Sequence, residues 1–249
     1  MTSTTQPTVE AVLVSHLSPA RFAPYLAETG SVAAAIKLYR WNIELSGAIH
    51  ESLAIVEVAL RNALDRQLQV WNQSRPAPAG QAPYGTNWVE RPAAPLGALL
   101  NPTPHKSTYL SARYRAIADS NLRDPSHPRH GAAPNHDDLV AHITFGTWVK
   151  LLPSKKDSQY GFGPNKQRGL WVNALKDAFP HHPDPLVVHH WTQRLHQLRN
   201  RIAHVEPLIA TDVISYHRSA ARLLLSIDPT VGSWYAGVSR IPRICKERP

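Results

Sequence analysis

The sequence is short of cysteine, of acid and of long apolar runs. One cysteine, Cys245, among 249 residues rules out a disulfide within the chain, and that usage suits a reducing cytosol. No apolar run reaches the roughly 20 residues that a membrane span needs. Residues 1–10 are polar, without the basic-then-apolar order of a signal peptide. The expectation is a cytoplasmic protein with no membrane attachment. No glycine-rich phosphate loop and no nucleophile elbow is present, which removes two common hydrolase classes.

Acid is scarce against base: 18 Asp and Glu face 27 Lys and Arg, a net charge of +9. Residues 1–72 hold five Lys or Arg and six acids, so the rest of the chain carries +10. A basic second half suits a polyanion such as RNA, although a solvated basic surface has the same composition. The hydrophobic fraction of 43% suffices for a sizeable core.

What is present reads as helix. Ser18-Pro19 pairs an N-cap with proline at the first helical position, and Gly30 stops that helix. Ser31 caps a second pattern over residues 31–71, where Ile49, Leu53, Val56, Leu60, Ala63, Leu64 and Leu68 step by three and four. Gly47 predicts a break or kink within it. Residues 73–106 hold seven prolines and form an irregular insertion, with Trp88 able to dock on the core. Residues 107–122 return to helix through Tyr109, Leu110, Tyr114, Ile117 and Leu122. Asp137 or Asp138 caps a helix through Leu139, Ile143, Trp148 and Leu152. Residues 154–165 form a loop followed by a short helix over 167–179. Asp184-Pro185 starts a helix through Val188, Trp191, Leu195, Leu198 and Ile202. Asp212 caps another, Asp228-Pro229 opens a short segment, and residues 240–249 form a basic tail. No stretch alternates with period two, so the fold class is all-α, a single domain over residues 1–249.

The densest chemistry is Leu198-Arg199-Asn200-Arg201-Ile202-Ala203-His204-Val205-Glu206-Pro207. An imidazole can take a proton from a ribose 2′-hydroxyl or return one to a leaving oxygen. A guanidinium can hold a phosphate bidentately and stabilise transition-state charge. Asn200 can orient either. This chemistry requires no metal. Yet five residues on a helix separate Arg199 from His204 by about 140°. Both can serve one site only if the helix loosens near Pro207, or if two chains each supply a part. The simpler alternative is a helix end whose arginine pairs with Glu206 and whose histidine caps carbonyls.

Three blocks resemble the abortive-infection (Abi-like) family of bacterial proteins, within the HEPN superfamily. They are Leu38-Tyr39-Arg40-Trp41-Asn42 with Leu45-Ser46, running on to Glu57-Val58-Ala59-Leu60-Arg61-Asn62-Ala63; Ile143-Thr144-Phe145-Gly146-Thr147-Trp148; and Leu195-His196-Gln197-Leu198-Arg199-Asn200-Arg201-Ile202-Ala203-His204, followed by Glu206-Pro207. The likeness covers roughly residues 20–240, most of 73–106 excepted. It implies a HEPN-like helical bundle, a homodimer with a composite active site, and metal-independent endoribonuclease activity without cofactors, in phage defence or as a toxin held by an antitoxin. Arg199, Asn200 and His204 fall on the family's Arg-Asn-x-x-x-His motif. Related sequences often carry a second histidine where this chain has Val205. The alternative is a catalytically inactive module that binds RNA or a partner protein.

Candidate substrate contacts are Arg201, Glu206, Arg61, Asn62 and Lys150, with Lys155 and Lys156 beyond. Each has a plainer reading. Glu57 and Arg61 suit an i,i+4 pair worth about 0.2–0.5 kcal/mol. Phe145-Gly146-Thr147-Trp148 suits close helix packing. The histidines at 181, 182, 189, 190 and 196 lack carboxylate or cysteine company at a ligand spacing, so no metal site is expected.

Overall fold

The computed structural model describes residues 8–102, 107–154, 165–181 and 184–249. Those residues contain twelve α-helices and one 3₁₀ turn, and no strand. The chain is all-α. None of these helices is long and apolar enough to cross a membrane.

The chain enters through α1 (Val9–Leu17) and α2 (Pro19–Thr29), the latter ending at Gly30 with φ 71°. The organising element is α3, Val32–Gln73, 42 residues long, or about 63 Å at 1.5 Å per residue. Ser31 Oγ accepts from the Ala34 N–H at its start. The expected break at Gly47 does not occur. A β-carbon there would meet nothing within 4 Å, so Gly47 faces outward. Its helix cost of about 1 kcal/mol is small against the apolar stripe on the opposite face. That stripe, from Ala35 to Trp71, packs against α2, α9 (Pro185–Ala203), α10 (Val213–Ile227), α12 (Ile241–Lys246) and the 3₁₀ turn Leu175–Ala178.

Buried side chains on α3 fasten the proline-rich insertion. Asn72 Nδ2 donates to the carbonyls of Gly85 (2.7 Å) and Arg91 (3.1 Å), and its Oδ1 accepts from the Ala93 N–H at 2.8 Å. Asp65 accepts from Trp88 Nε1 and Gln69 Nε2, each at 2.7 Å, and lies 2.8 Å from His136 Nε2. Burial alone would raise the Asp65 pKa; the bonds from His136, Trp88 and Gln69 outweigh it and hold the carboxyl below the ordinary range. Trp88 docks as expected, fully buried and edge-on to Trp148 at 5.7 Å. The insertion also contains a one-turn helix, α4 (Leu96–Leu100).

Further expectations need correction. In α5 (Thr108–Leu122) the side chains turned inward are Ala112, Ala116 and Ser120, while Leu110, Tyr114 and Leu122 are exposed. The single helix expected through Leu152 is two. Asn135 and Asp138 form a reciprocal capping box that starts α6 (His136–Ala141), and α7 (Phe145–Leu151) restarts after Thr144. The one helix expected over 167–179 is also two pieces: α8 (Lys166–Asn173) stops at Ala174, whose φ -145° and ψ -64° leave the helix, and the 3₁₀ turn follows before α9, α10 and α11 (Pro229–Val238). Asp184, Asp212 and Asp228 each cap the helix that follows, as the sequence indicates. The loop lysines Lys155 and Lys156 lie outside the described residues.

The basic tail is a folded element. Its helix α12 buries Ile241 and Ile244, and the Ile244 carbonyl accepts from Trp41 Nε1 at 2.8 Å. Arg240 pairs with Glu51, Arg243 with Glu44 and Glu247, and Arg248 with Glu28. Acids of the first third of the chain thus meet the tail within the fold.

Candidate functional site

Helix α9 carries the Arg199–His204 stretch. Asp184 Oδ1 accepts from the Leu186 N–H at 2.9 Å, and Pro185 occupies the first turn without wasting a donor. Val188, Trp191, Leu195 and Leu198 are buried, which pins one face to the core. Arg199, Asn200 and His204 therefore stand exposed.

The helix keeps its regular hydrogen bonding as far as the His204 N–H, then ends well before Pro207. The His204 N–H still bonds to the Asn200 carbonyl at 3.1 Å, and regular helix runs through Ala203. The chain then closes abruptly: Val205 N–H donates to Ile202 O at 3.0 Å and Glu206 N–H to Arg201 O at 3.1 Å. This is a Schellman turn, and it places Val205 at φ 53°. A β-branched residue there is strained by about 1–3 kcal/mol. Up to His204 the backbone follows the helical path from Arg199, on which five residues correspond to about 140° around the axis.

Arg201 and Glu206, expected as substrate contacts, are bound to one another. Arg201 Nε donates to Glu206 Oε2 at 3.0 Å and its Nη2 to the Pro207 carbonyl at 3.1 Å. Two residues on, the Leu208 N–H donates to the buried Asn42 Oδ1 at 2.7 Å. The asparagine of the first sequence block thus clamps the chain just beyond the third.

Arg199 opens into a recess of about 290 Å³. Its walls include Glu57 from α3, Arg115 from α5, His142 and Thr144 from the α6–α7 link, Gly146 from α7, and His196 from α9. All three sequence blocks meet here. His196 crosses onto α7, its ring edge-on to Phe145 at 5.8 Å and its Nε2 3.1 Å from where a Gly146 β-carbon would stand. Burial first, then the charges of Arg199 and Lys150, hold the His196 imidazole below its ordinary pKa. His204 is not on this wall.

A second recess of about 260 Å³ adjoins the first and shares Arg115, Ile143 and Thr144 with it. It adds Lys150 and the hydroxyls of Ser111 and Thr147. Among the described residues, Glu57, Arg115, Lys150 and Arg199 make no ion pair. The expected Glu57–Arg61 pair is therefore not formed. Arg61 and Asn62 line a separate recess of about 350 Å³ with Asp65, Arg66 and Asp137, away from Arg199.

Of the sequence-derived candidates, then, Arg199 and Lys150 lie along one groove, His204 and Asn200 on the open surface, and Arg61 and Asn62 elsewhere. His196, His142 and Arg115 were not foreseen as partners of Arg199. The signals for His196 were its place in the third block and one turn before Arg199; Arg115 offered none. Glu57, His142 and His196 share a wall without converging as a metal-binding group.

No protein-family model, no curated protein and no solved structure matches the chain at a significant level.

Proposed function

We propose that the protein is a metal-independent endoribonuclease of the HEPN type. In this reading it acts in the cytoplasm as a homodimer, in phage defence or as a toxin restrained by a partner protein. The ribose 2′-oxygen attacks the adjacent phosphorus and the bond to the 5′-oxygen breaks. The products carry a 2′,3′-cyclic phosphate and a 5′-hydroxyl. Arg199 holds the phosphate and steadies its developing charge. His204 carries the proton from the 2′-hydroxyl or to the leaving oxygen, and Asn200 orients them.

The observation that carries this reading is the convergence of three sequence blocks, some 80 and 50 residues apart, on the recess into which Arg199 opens. Packing alone does not call for an arginine without a carboxylate partner in a polar recess. The placement of His204 on the far side of the helix end supports a composite site, in which the histidine of one protomer meets the arginine of its partner. The same placement is what favours the second reading, a module that binds RNA without cutting it.

The test is incubation of the purified chain with total RNA in excess EDTA, with mapping of the product ends. Cleavage leaving cyclic phosphates, abolished by His204→Ala, is the expected result. Salt-sensitive binding without cleavage selects the second reading, and activity that EDTA removes sinks the mechanism.

A further inference from the structure

The two adjoining recesses share Arg115, Ile143 and Thr144 and together make one groove bounded by α4, α5, α7 and α9. Arg115 belongs to both lobes. Lys150 lines the outer lobe, and its charge is felt by His196 in the inner one. With Arg199, these cations follow the groove from one lobe to the other. Hydroxyls of Ser111, Thr144 and Thr147 stand along it. These are groups that hold phosphate oxygens without reading sequence. The inner lobe has one carboxylate, Glu57, which has no ion-pair partner among the described residues. A carboxylate cannot accept a bond from a phosphodiester, but it can from a ribose hydroxyl.

We propose that this groove is the track for a single-stranded RNA backbone. Arg199 holds one phosphate, Arg115 and Lys150 hold its neighbours, and Glu57 accepts the 2′-hydroxyl of the nucleotide in the inner lobe. The proposal rests on the ribonuclease reading above and extends it. It assigns phosphates beyond the scissile one to residues outside the Arg199–His204 stretch. It also gives a physical origin for choosing RNA over DNA, since the 2′-hydroxyl is the group that differs. A groove whose cations and hydroxyls stand beside the apolar Leu99, Leu100 and Ile143 suits one flexible strand, whose backbone can follow the cations.

The test uses the full chain carrying His204→Ala, so that RNA stays intact. Binding of a 12-nucleotide single-stranded RNA and the DNA of the same sequence is followed by fluorescence anisotropy over a salt series. Arg115→Gln with Lys150→Gln should weaken RNA binding about tenfold and flatten the salt dependence by roughly 1.4, about 0.7 for each phosphate that is no longer neutralised. Glu57→Ala should shrink the preference for RNA over DNA while leaving that slope alone. Lys176→Gln, exposed and outside both lobes, should change neither. Thermal unfolding of each variant shows whether the fold is intact. Unchanged affinity and slope in the Arg115/Lys150 variant overturn the track, while RNA cleavage by the unmodified chain would leave the Arg199–His204 reading standing. A 5′-mononucleotide that competes as well as the 12-mer overturns it too. A chain that neither binds nor cuts RNA removes both.

Discussion

Gly146 and His196 meet so closely that a β-carbon on the first would lie 3.1 Å from Nε2 of the second and 3.2 Å from Cε1. This contact joins α7 to α9 at the wall of the Arg199 recess. Gly146→Ala forces the imidazole to give by a few tenths of an ångström, while the added methyl gains up to about 1 kcal/mol of helix propensity. Stability should change by less than about 1 kcal/mol. RNA cleavage should fall several-fold, and Gly146→Val should lower it further. Denaturant titration alongside a cleavage assay separates the two effects. Full activity in the valine variant would show that His196 has no part in the site.

Val205 is strained at φ 53°, and glycine adopts that conformation freely. Val205→Gly should therefore stabilise the chain by about 1 kcal/mol, less the extra entropy of glycine in the unfolded state. The urea midpoint should rise with no change in the slope of the transition. A lower midpoint would mean that the Val205 side chain holds the helix end by contacts worth more than the strain.

Because Arg199 and His204 occupy different faces, the composite site can be tested by mixing inactive chains. In a dimer of Arg199→Ala with His204→Ala, one site loses both groups and the other keeps both. Random exchange should restore on the order of a quarter of normal activity, since half the dimers are mixed and each has one intact site. No recovery after exchange, with mixed dimers demonstrated, would place both groups of each site in one chain.

Asp65 sets an acid limit. Its folded pKa lies below the ordinary value of 3.8, so the unfolded chain takes its proton first as pH falls. The stability it contributes is complete above about 3.8 and is lost as pH drops through the folded value. Asp65→Asn should flatten the decline of stability over that acid range. Asp65→Ala should cost roughly 3 kcal/mol at neutral pH by leaving the buried Trp88 indole without its acceptor. Urea unfolding at a series of pH values checks both. An unchanged acid profile in the asparagine variant would assign the limit to other carboxylates.

Helix starts at Ser31, Asp184, Asp212 and Asp228 are legible because a cap bonds within three residues of itself. The break between α6 and α7 shows only as the five-residue step from Ile143 to Trp148, flanked by four-residue steps from Leu139 and to Leu152 that still read as helix, while Asn135 begins the first helix early. The buried face of α5 is not legible, because alanines face inward and the larger Leu110 and Tyr114 face out. At the site, local spacing separates Arg199 from His204 correctly. It cannot reveal that Glu57, Arg115 and Gly146, from three other helices, close a recess around Arg199. That depends on how the helices pack, and so does the folding of the basic tail against Glu28, Glu44 and Glu51.

Helix α3 grips the chain at three places and faces the groove at a fourth. Trp41 holds the tail, Asn42 the segment after the motif, Glu57 faces the groove, and Asp65 with Asn72 secures the insertion. A helix transmits register rigidly: one residue added between Asn42 and Glu57 would turn everything downstream by about 100° and shift it about 1.5 Å. The insertion would then be carried away from the segment that Asn42 clamps. α3 therefore works as a camshaft whose phase is fixed by residue count. Drift in the surface loops leaves that phase intact, but a single insertion or deletion along this rod would not.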